Sequence, residues 1–209
     1  VIEQFIFVTG RNKHVIEDHF DMAFELETTL AERGKTAALE VLRAERPKAG
    51  TASFTRQQEP LGLGHAVWCA RHLVGDEPFA LLLPDVIIKG ERGCMAQMMD
   101  VYRAHGSNVI AVEEVAPERT DQYGVVEIEG SGDVFSVTGM VEKPPKGTAP
   151  SNLIITGRYI LKPRIFDLLE TQEKGAGGEI QITDSMKTLM REDGFMGLRF
   201  DGTTYDCGS

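Results

Sequence analysis

The chain has 209 residues, 42% hydrophobic and 26% charged, a balance that supports one globular domain with a sizeable core and argues against disorder. Asp and Glu number 32 against 22 Lys and Arg, and the net charge of −10 opposes non-specific attraction to nucleic acid or to an anionic membrane surface. No apolar run approaches the roughly 18 residues that span a bilayer, no signal pattern opens the chain, and Cys69, Cys94 and Cys207 are widely and irregularly spaced, so we expect a cytoplasmic protein with reduced thiols.

Short apolar segments alternate with stretches of 3.6-residue periodicity, which predicts βαβ units in an α/β domain with a mainly parallel sheet flanked by helices. In chain order the pattern predicts a strand over 4–8, a helix over 13–33, a glycine-containing loop, a helix over 64–74 and a strand over 79–83. A helix over 92–105 and a strand over 108–112 follow. Residues 124–128 and 134–142 alternate apolar and polar side chains about Gly130-Ser131-Gly132-Asp133, which predicts an inserted antiparallel hairpin. A strand over 153–161, helices over 163–171 and 183–192 and a strand over 195–200 complete the pattern. Pro163 is placed as a first helical residue and Thr183 as a helix cap. With no internal repeat and no linker, residues 1–209 read as a single domain.

Five places could carry chemistry. Phe79-Ala80-Leu81-Leu82-Leu83 is continuously apolar, as a strand covered on both faces must be, and ends in Pro84-Asp85. A carboxylate beyond a strand's carboxyl end can hold Mg²⁺ against phosphate oxygens, although a plain surface turn has the same local pattern. Gln57-Gln58-Glu59-Pro60-Leu61-Gly62-Leu63-Gly64 leads into a helix; its glycines allow close backbone approach, but neither the dinucleotide fingerprint nor the P-loop ending is present. His65, Cys69 and His72 share a helical face without a suitably spaced fourth ligand, which favours packing over zinc, and His14 with Asp18 reads as a solvated pair. Val141-Glu142-Lys143-Pro144-Pro145 sets a carboxylate beside an ammonium at the hairpin's end, where the two side chains serve different partners or form a charged strand edge.

Taken together, several ordered segments resemble the bacterial UTP–glucose-1-phosphate uridylyltransferase family of sugar nucleotidyltransferases. They are FVTGRNKHVIEDHFD (7–21), RQQEPLGLGHAVWCARHLVGDEPFALLLPD (56–85), YGVVE (123–127), VEKP (141–144), APSNLIITGRYIL (149–161), GAGGEIQITDSM (175–186) and YDCG (205–208). The resemblance implies a Rossmann-like nucleotidyltransferase fold, Mg²⁺ as cofactor, and UTP, glucose 1-phosphate and UDP-glucose as substrates and product. It assigns Gln57 and the Gly62 backbone to uracil, Gly124 to close approach around the sugar, Glu142 to glucose hydroxyls and Lys143 to the phosphates. Asp85 is assigned to the metal, and Asp206 matches an aspartate that completes the metal site in related enzymes.

The resemblance also implies a glycine-rich G-x-G-T-R loop and a following Lys ahead of Val1, a helical tail after Ser209 and a homo-oligomer at full length. Nothing between Val1 and Gly10 replaces that loop, so the expectation is that residues 1–209 alone bind UDP-glucose without turnover. Two alternatives stay open: thymidylyl transfer to a sugar phosphate, and a non-catalytic regulator that binds a nucleotide sugar.

Overall fold

A computed structural model describes residues 2–175 and 178–208, so Ala176 and Gly177 of the GAGGEIQITDSM stretch lie outside the described residues. The chain clusters into two compact units, residues 1–61 and 62–209, each described by itself. Among the described residues no helix is long and apolar enough to cross a membrane.

In the first unit β1 (Phe5–Thr9) pairs in parallel with β2 (Ala52–Arg56), Phe7 opposite Phe54. The expected helix over 13–33 is two helices, α1 (His14–Phe20) and α2 (Phe24–Glu32), separated at Asp21, where the backbone is extended. A third helix, α3 (Thr36–Glu45), and β2 itself were not predicted. Phe7 stacks on Phe54 with ring centroids 5.0 Å apart and meets Phe20 at 4.6 Å. Glu27 on α2 is buried, and its carboxylate accepts from Arg43 Nε at 2.8 Å and from Arg46. A buried carboxylate needs such partners, and this one ties α2 to α3 and the residue after it.

The second unit contains α4 (Leu63–Cys69), α5 (Arg71–Val74), β3 (Phe79–Leu82), β4 (Val86–Lys89), α6 (Cys94–His105) and β5 (Asn108–Glu114). A 3₁₀ turn (Pro117–Gln122) leads to β6 (Gly124–Glu129), β7 (Val134–Glu142) and β8 (Leu153–Leu161). Then come α7 (Arg164–Thr171), α8 (Ile182–Asp193), β9 (Phe195–Arg199) and β10 (Thr203–Asp206). The main sheet has the order β3-β8-β5-β9-β7-β6, while β10 pairs antiparallel with β4.

The expected mainly parallel sheet is corrected to a mixed one. Only β5 and β9 run parallel among its described pairings; β3 with β8, β8 with β5, β9 with β7 and β7 with β6 are antiparallel. The expected antiparallel hairpin is β6 and β7, and it is part of the main sheet: Val125 pairs with Ile154 and brings β6 back to β8, closing five strands on one another. Periodicity reports which faces of a strand are buried and carries no information on its direction, which is why the two arrangements read alike in sequence.

Burial explains the layering. In β5, Val109 and Ala111 face α6 through Cys94, Met98 and Val101, while Ile110 and Val112 face the cluster containing Phe166, Met186 and Leu189. The strand covered on both faces is therefore β5, whereas the all-apolar β3 lies at an edge, half-buried, with Leu82 exposed. Asn108 donates from Nδ2 to Gly194 O at 3.1 Å and accepts from Lys162 N at 2.8 Å, which satisfies a fully buried amide.

Candidate functional site

β3 runs beside β8 until Leu83, whose amide donates to Gly157 O at 3.0 Å. Pro84 has no amide to continue the ladder, so the chain turns and enters β4. Asp85 lies in that turn. Its carbonyl accepts from Cys207 N at 2.7 Å, and the register of β10 on β4 sets Asp206 opposite Val86. The two carboxylates consequently converge: a Cβ built on Gly208 would lie 3.1 Å from Asp85 Oδ2 and 3.3 Å from Asp206 Oδ1.

Glu142 closes β7 opposite Gly124, the first residue of β6. Its Oε2 accepts from Thr183 Oγ1 at 2.9 Å, across from the first turn of α8. A Cβ on Gly124 would lie 3.2 Å from that oxygen and 3.2 Å from Ile155 Cδ1, so the absence of a side chain keeps space open beside the carboxylate. Thr183, expected to cap α8, instead spends its hydroxyl on Glu142, and the cap position falls to Gln181 without a side-chain bond.

These residues line one cavity of about 650 Å³ where β3, β5 and β7 finish and β6 and β8 begin. Asp85, Gly124, Glu142 and Asp206 are thus brought together. Acidic side chains dominate: Asp85, Glu113, Glu114, Glu142 and Asp206 face Arg119, which donates to Tyr123 Oη at 2.8 Å. A phosphate entering this cavity needs added positive charge. Asp85 and Asp206 offer oxygen donors only, and among the described residues no cluster of three or more His, Cys, Asp or Glu could hold a metal. Two carboxylates with room for water and phosphate oxygens suit a hard octahedral cation rather than a structural zinc site.

Tyr159 also lines the cavity, within the electrostatic reach of Glu142 and Asp85. Burial first, then the charges of Glu142 and Asp85, push its phenol well above the usual tyrosine range, against the opposing pull of Arg158. It stays a neutral O–H donor on the cavity wall.

The remaining expected residues fall outside the lining. Lys143 follows Glu142 with φ 43°, one of two non-glycine residues at positive φ among those described, and its amide donates to Tyr123 O at 3.0 Å. Its side chain is exposed. A left-handed lysine costs about 1 kcal/mol or more and turns the ammonium out of the strand's alternation, so Glu142 and Lys143 are freed from the opposite-face constraint of neighbours on a strand. Gly62, at φ 97°, precedes α4, where a Cβ would lie 2.8 Å from Glu179 Cβ and 3.0 Å from Ile180 O. Gly64 donates to Ile180 O at 2.8 Å. The glycine pair therefore admits the crossing 179–180 segment, and the Gly64 amide is already engaged. Gln57 belongs to the first unit, where its amide donates to Thr9 O at 2.8 Å. His65 stacks on Trp68 and touches Cys69 Sγ at 3.9 Å, while His72 is exposed.

Sequence reasoning missed Thr183 as the partner of Glu142, Tyr159 as a wall residue and Arg158 beneath the Asp85 turn. Thr183 carried a capping signal that masked its other use, and the apolar run of β8 hid the polar ends of Arg158 and Tyr159.

Comparison with known proteins adds an independent finding. The family described as nucleotidyl transferase matches residues 5–209. The UTP–glucose-1-phosphate uridylyltransferase of Bacillus subtilis (strain 168) is 48% identical over 208 residues, covering 99% of this chain and 71% of that protein. The enzyme of the same name from Komagataeibacter xylinus is 43% identical over 209 residues, 100% of this chain and 74% of its own. Among solved structures, UTP-bound UGPase from Acinetobacter baumannii superposes with a TM-score of 0.89 at 41% identity, covering 99% of this chain and 73% of that one. UDP-glucose pyrophosphorylase complexed with UDP-glucose gives a TM-score of 0.87 at 37% identity, with 99% and 76% coverage.

Proposed function

The chain belongs to the nucleotidyl transferase family, alongside the bacterial UTP–glucose-1-phosphate uridylyltransferases, and we propose that it transfers the uridylyl group of UTP to glucose 1-phosphate. A phosphate oxygen of glucose 1-phosphate attacks the α-phosphorus of UTP in line, the bond to the bridging oxygen breaks, and pyrophosphate leaves. The observation that carries this reading is a cavity that holds Asp85 with Asp206 at one place and Glu142 with Thr183 at another, in a chain 48% identical to a uridylyltransferase.

The attacking phosphate has a second pKa near 6 and is mostly dianionic at pH 7, so no general base is required. What the protein supplies is position and charge. Glu142 accepts hydroxyls of the glucose, with Thr183 holding the carboxylate by its 2.9 Å bond, and Gly124 leaves room for the ring. Lys143 brings its exposed ammonium to the phosphates, and the Gly62 backbone contacts the uracil. Asp85 and Asp206 would hold Mg²⁺, which when bound would supply positive charge to offset the phosphates in a cavity otherwise rich in carboxylates.

The thymidylyl alternative has weaker support: a putative glucose-1-phosphate thymidylyltransferase structure from Bacillus anthracis, at 16% identity and a TM-score of 0.71, shares the fold alone. Turnover is measured on the full-length protein, where pyrophosphate release with UTP or dTTP and glucose 1-phosphate separates the readings. We expect release with UTP to exceed that with dTTP; faster release with dTTP overturns the uridylyl assignment, and release with neither points to a regulator.

A further inference from the structure

The turn that carries Asp85 has an anchor that the reaction itself does not require. Arg158 follows Gly157, whose φ of 69° accompanies a register shift between Ile110 and Val112 in the β5–β8 ladder. Such a bulge re-aims the next side chain. Arg158 is paired with Leu82 at the end of β3, and its guanidinium reaches beyond that strand. Nη1 donates to Leu83 O at 2.8 Å and to Gly157 O at 3.0 Å, while Nη2 donates to Val86 O. Leu83 and Val86 are the two ends of the turn, with Pro84 and Asp85 between them.

We infer that Arg158 is a positioning residue: its guanidinium staples both ends of the Leu83–Val86 turn and so sets where the cavity presents the Asp85 carboxylate to a divalent cation. The inference rests on the reading of Asp85 as a metal ligand given above. Among the described residues the Asp85 carboxylate accepts no hydrogen bond; it feels the Arg158 charge directly, and the backbone that Arg158 staples carries it. A planar fork is suited to holding two separate carbonyls at once, which a single ammonium cannot do with the same geometry. The surroundings keep the fork directed at the turn. Cys94 lies close by, and burial pushes its thiol up to about 11 despite the nearby guanidinium, so it is neutral and does not compete as a counter-ion.

The test uses Arg158→Lys and Arg158→Gln beside Asp85→Asn and the double variant Arg158→Lys/Asp85→Asn. Mn²⁺ binding in the presence of UDP-glucose is read by water-proton relaxation, and the Mg²⁺ concentration for half-maximal turnover is measured alongside. We expect both Arg158 variants to weaken Mn²⁺ binding about tenfold, as loss of a partner that orients a metal ligand does. UDP-glucose affinity in EDTA should stay at the parent value, which a general structural defect would also disturb. The double variant should bind Mn²⁺ no more weakly than Asp85→Asn. If Arg158→Gln fails to fold, Arg158→Lys keeps the charge and carries the same readouts. Normal Mn²⁺ binding in Arg158→Lys, with Asp85→Asn impaired, overturns the staple and leaves the proposed function intact. Normal Mn²⁺ binding in Asp85→Asn removes the metal role of Asp85 and this inference with it.

Discussion

The two units bury different kinds of group. Among the described residues of the first unit, Leu39 is the one apolar side chain that is buried; the others buried are Thr9 and Glu27, the latter gripped by two arginines, and the half-buried Phe7, Phe20 and Phe54 rings pack on one another. In the second unit two apolar clusters lie on opposite faces of β5, no charged side chain among the described residues is buried, and the carboxylates of the cavity stand where strands end. The contrast teaches where function can be altered cheaply. A rim of carboxylates above a separate apolar core can lose catalytic groups without losing the fold, whereas a unit organised around a buried ion pair reports charge changes as stability.

The largest effect that would sharpen this contrast is in the core. Leu189, fully buried on α8, should cost about 2–5 kcal/mol when changed to Ala, because the enclosed site cannot collapse around the missing atoms. Urea unfolding measures it, and a loss below about 1 kcal/mol would show that the core is loosely packed. Next comes the rim. Lys143→Met should lower kcat by about 100- to 1,000-fold, equivalent to about 2.7–4 kcal/mol, with Tm changed little. A collapse of Tm with normal kcat in the surviving molecules would make Lys143 a structural residue.

Glu27→Gln should destabilise the first unit by about 2 kcal/mol, less than a fully enclosed pair, since Arg43 is more than half exposed and its charge is screened. Hydrogen exchange should quicken over α2 and α3 while kcat holds; an altered kcat would show that the Glu27 pair serves more than stability. Asp85→Asn should lower turnover by at least about tenfold, near 1.4 kcal/mol, and recover in part as Mg²⁺ rises. Parent kinetics across the Mg²⁺ titration would remove Asp85 from the metal site. The smallest effect concerns thiols. Cys207 is exposed, while Cys94 is buried with its thiol at about 11, so that near pH 8 only about 0.1% of it is ionised. Iodoacetamide should therefore label Cys207 and spare Cys94, a difference readable by peptide mass.

Much of the second unit was legible because its elements carry strong periodicity. β7 and β8 occupy the predicted 134–142 and 153–161, and Asp85, Gly124 and Glu142 stand at strand ends that their neighbours announce. The first unit was harder to read. The separation of α1 from α2 at Asp21 leaves the surrounding apolar spacing intact, and Ala52-Ser53-Phe54-Thr55-Arg56 has too little apolar character to declare a strand without its parallel partner.

Sequence by itself therefore determined most elements of the second unit, though not β4 or β10, together with the acidic and glycine positions at their ends and the resemblance to a family whose motifs recur in order. Tertiary structure alone decided the strand directions, the closure of β6 onto β8 through Val125 and Ile154, and the meeting of Asp85 with Asp206. It also decided the use of Thr183 on Glu142 and of Arg158 on the Asp85 turn. The physical reason is one of range. Periodicity and turn chemistry act over a few residues, whereas a pairing register or a side-chain hydrogen bond across the chain exists only once distant segments have been packed against the same core.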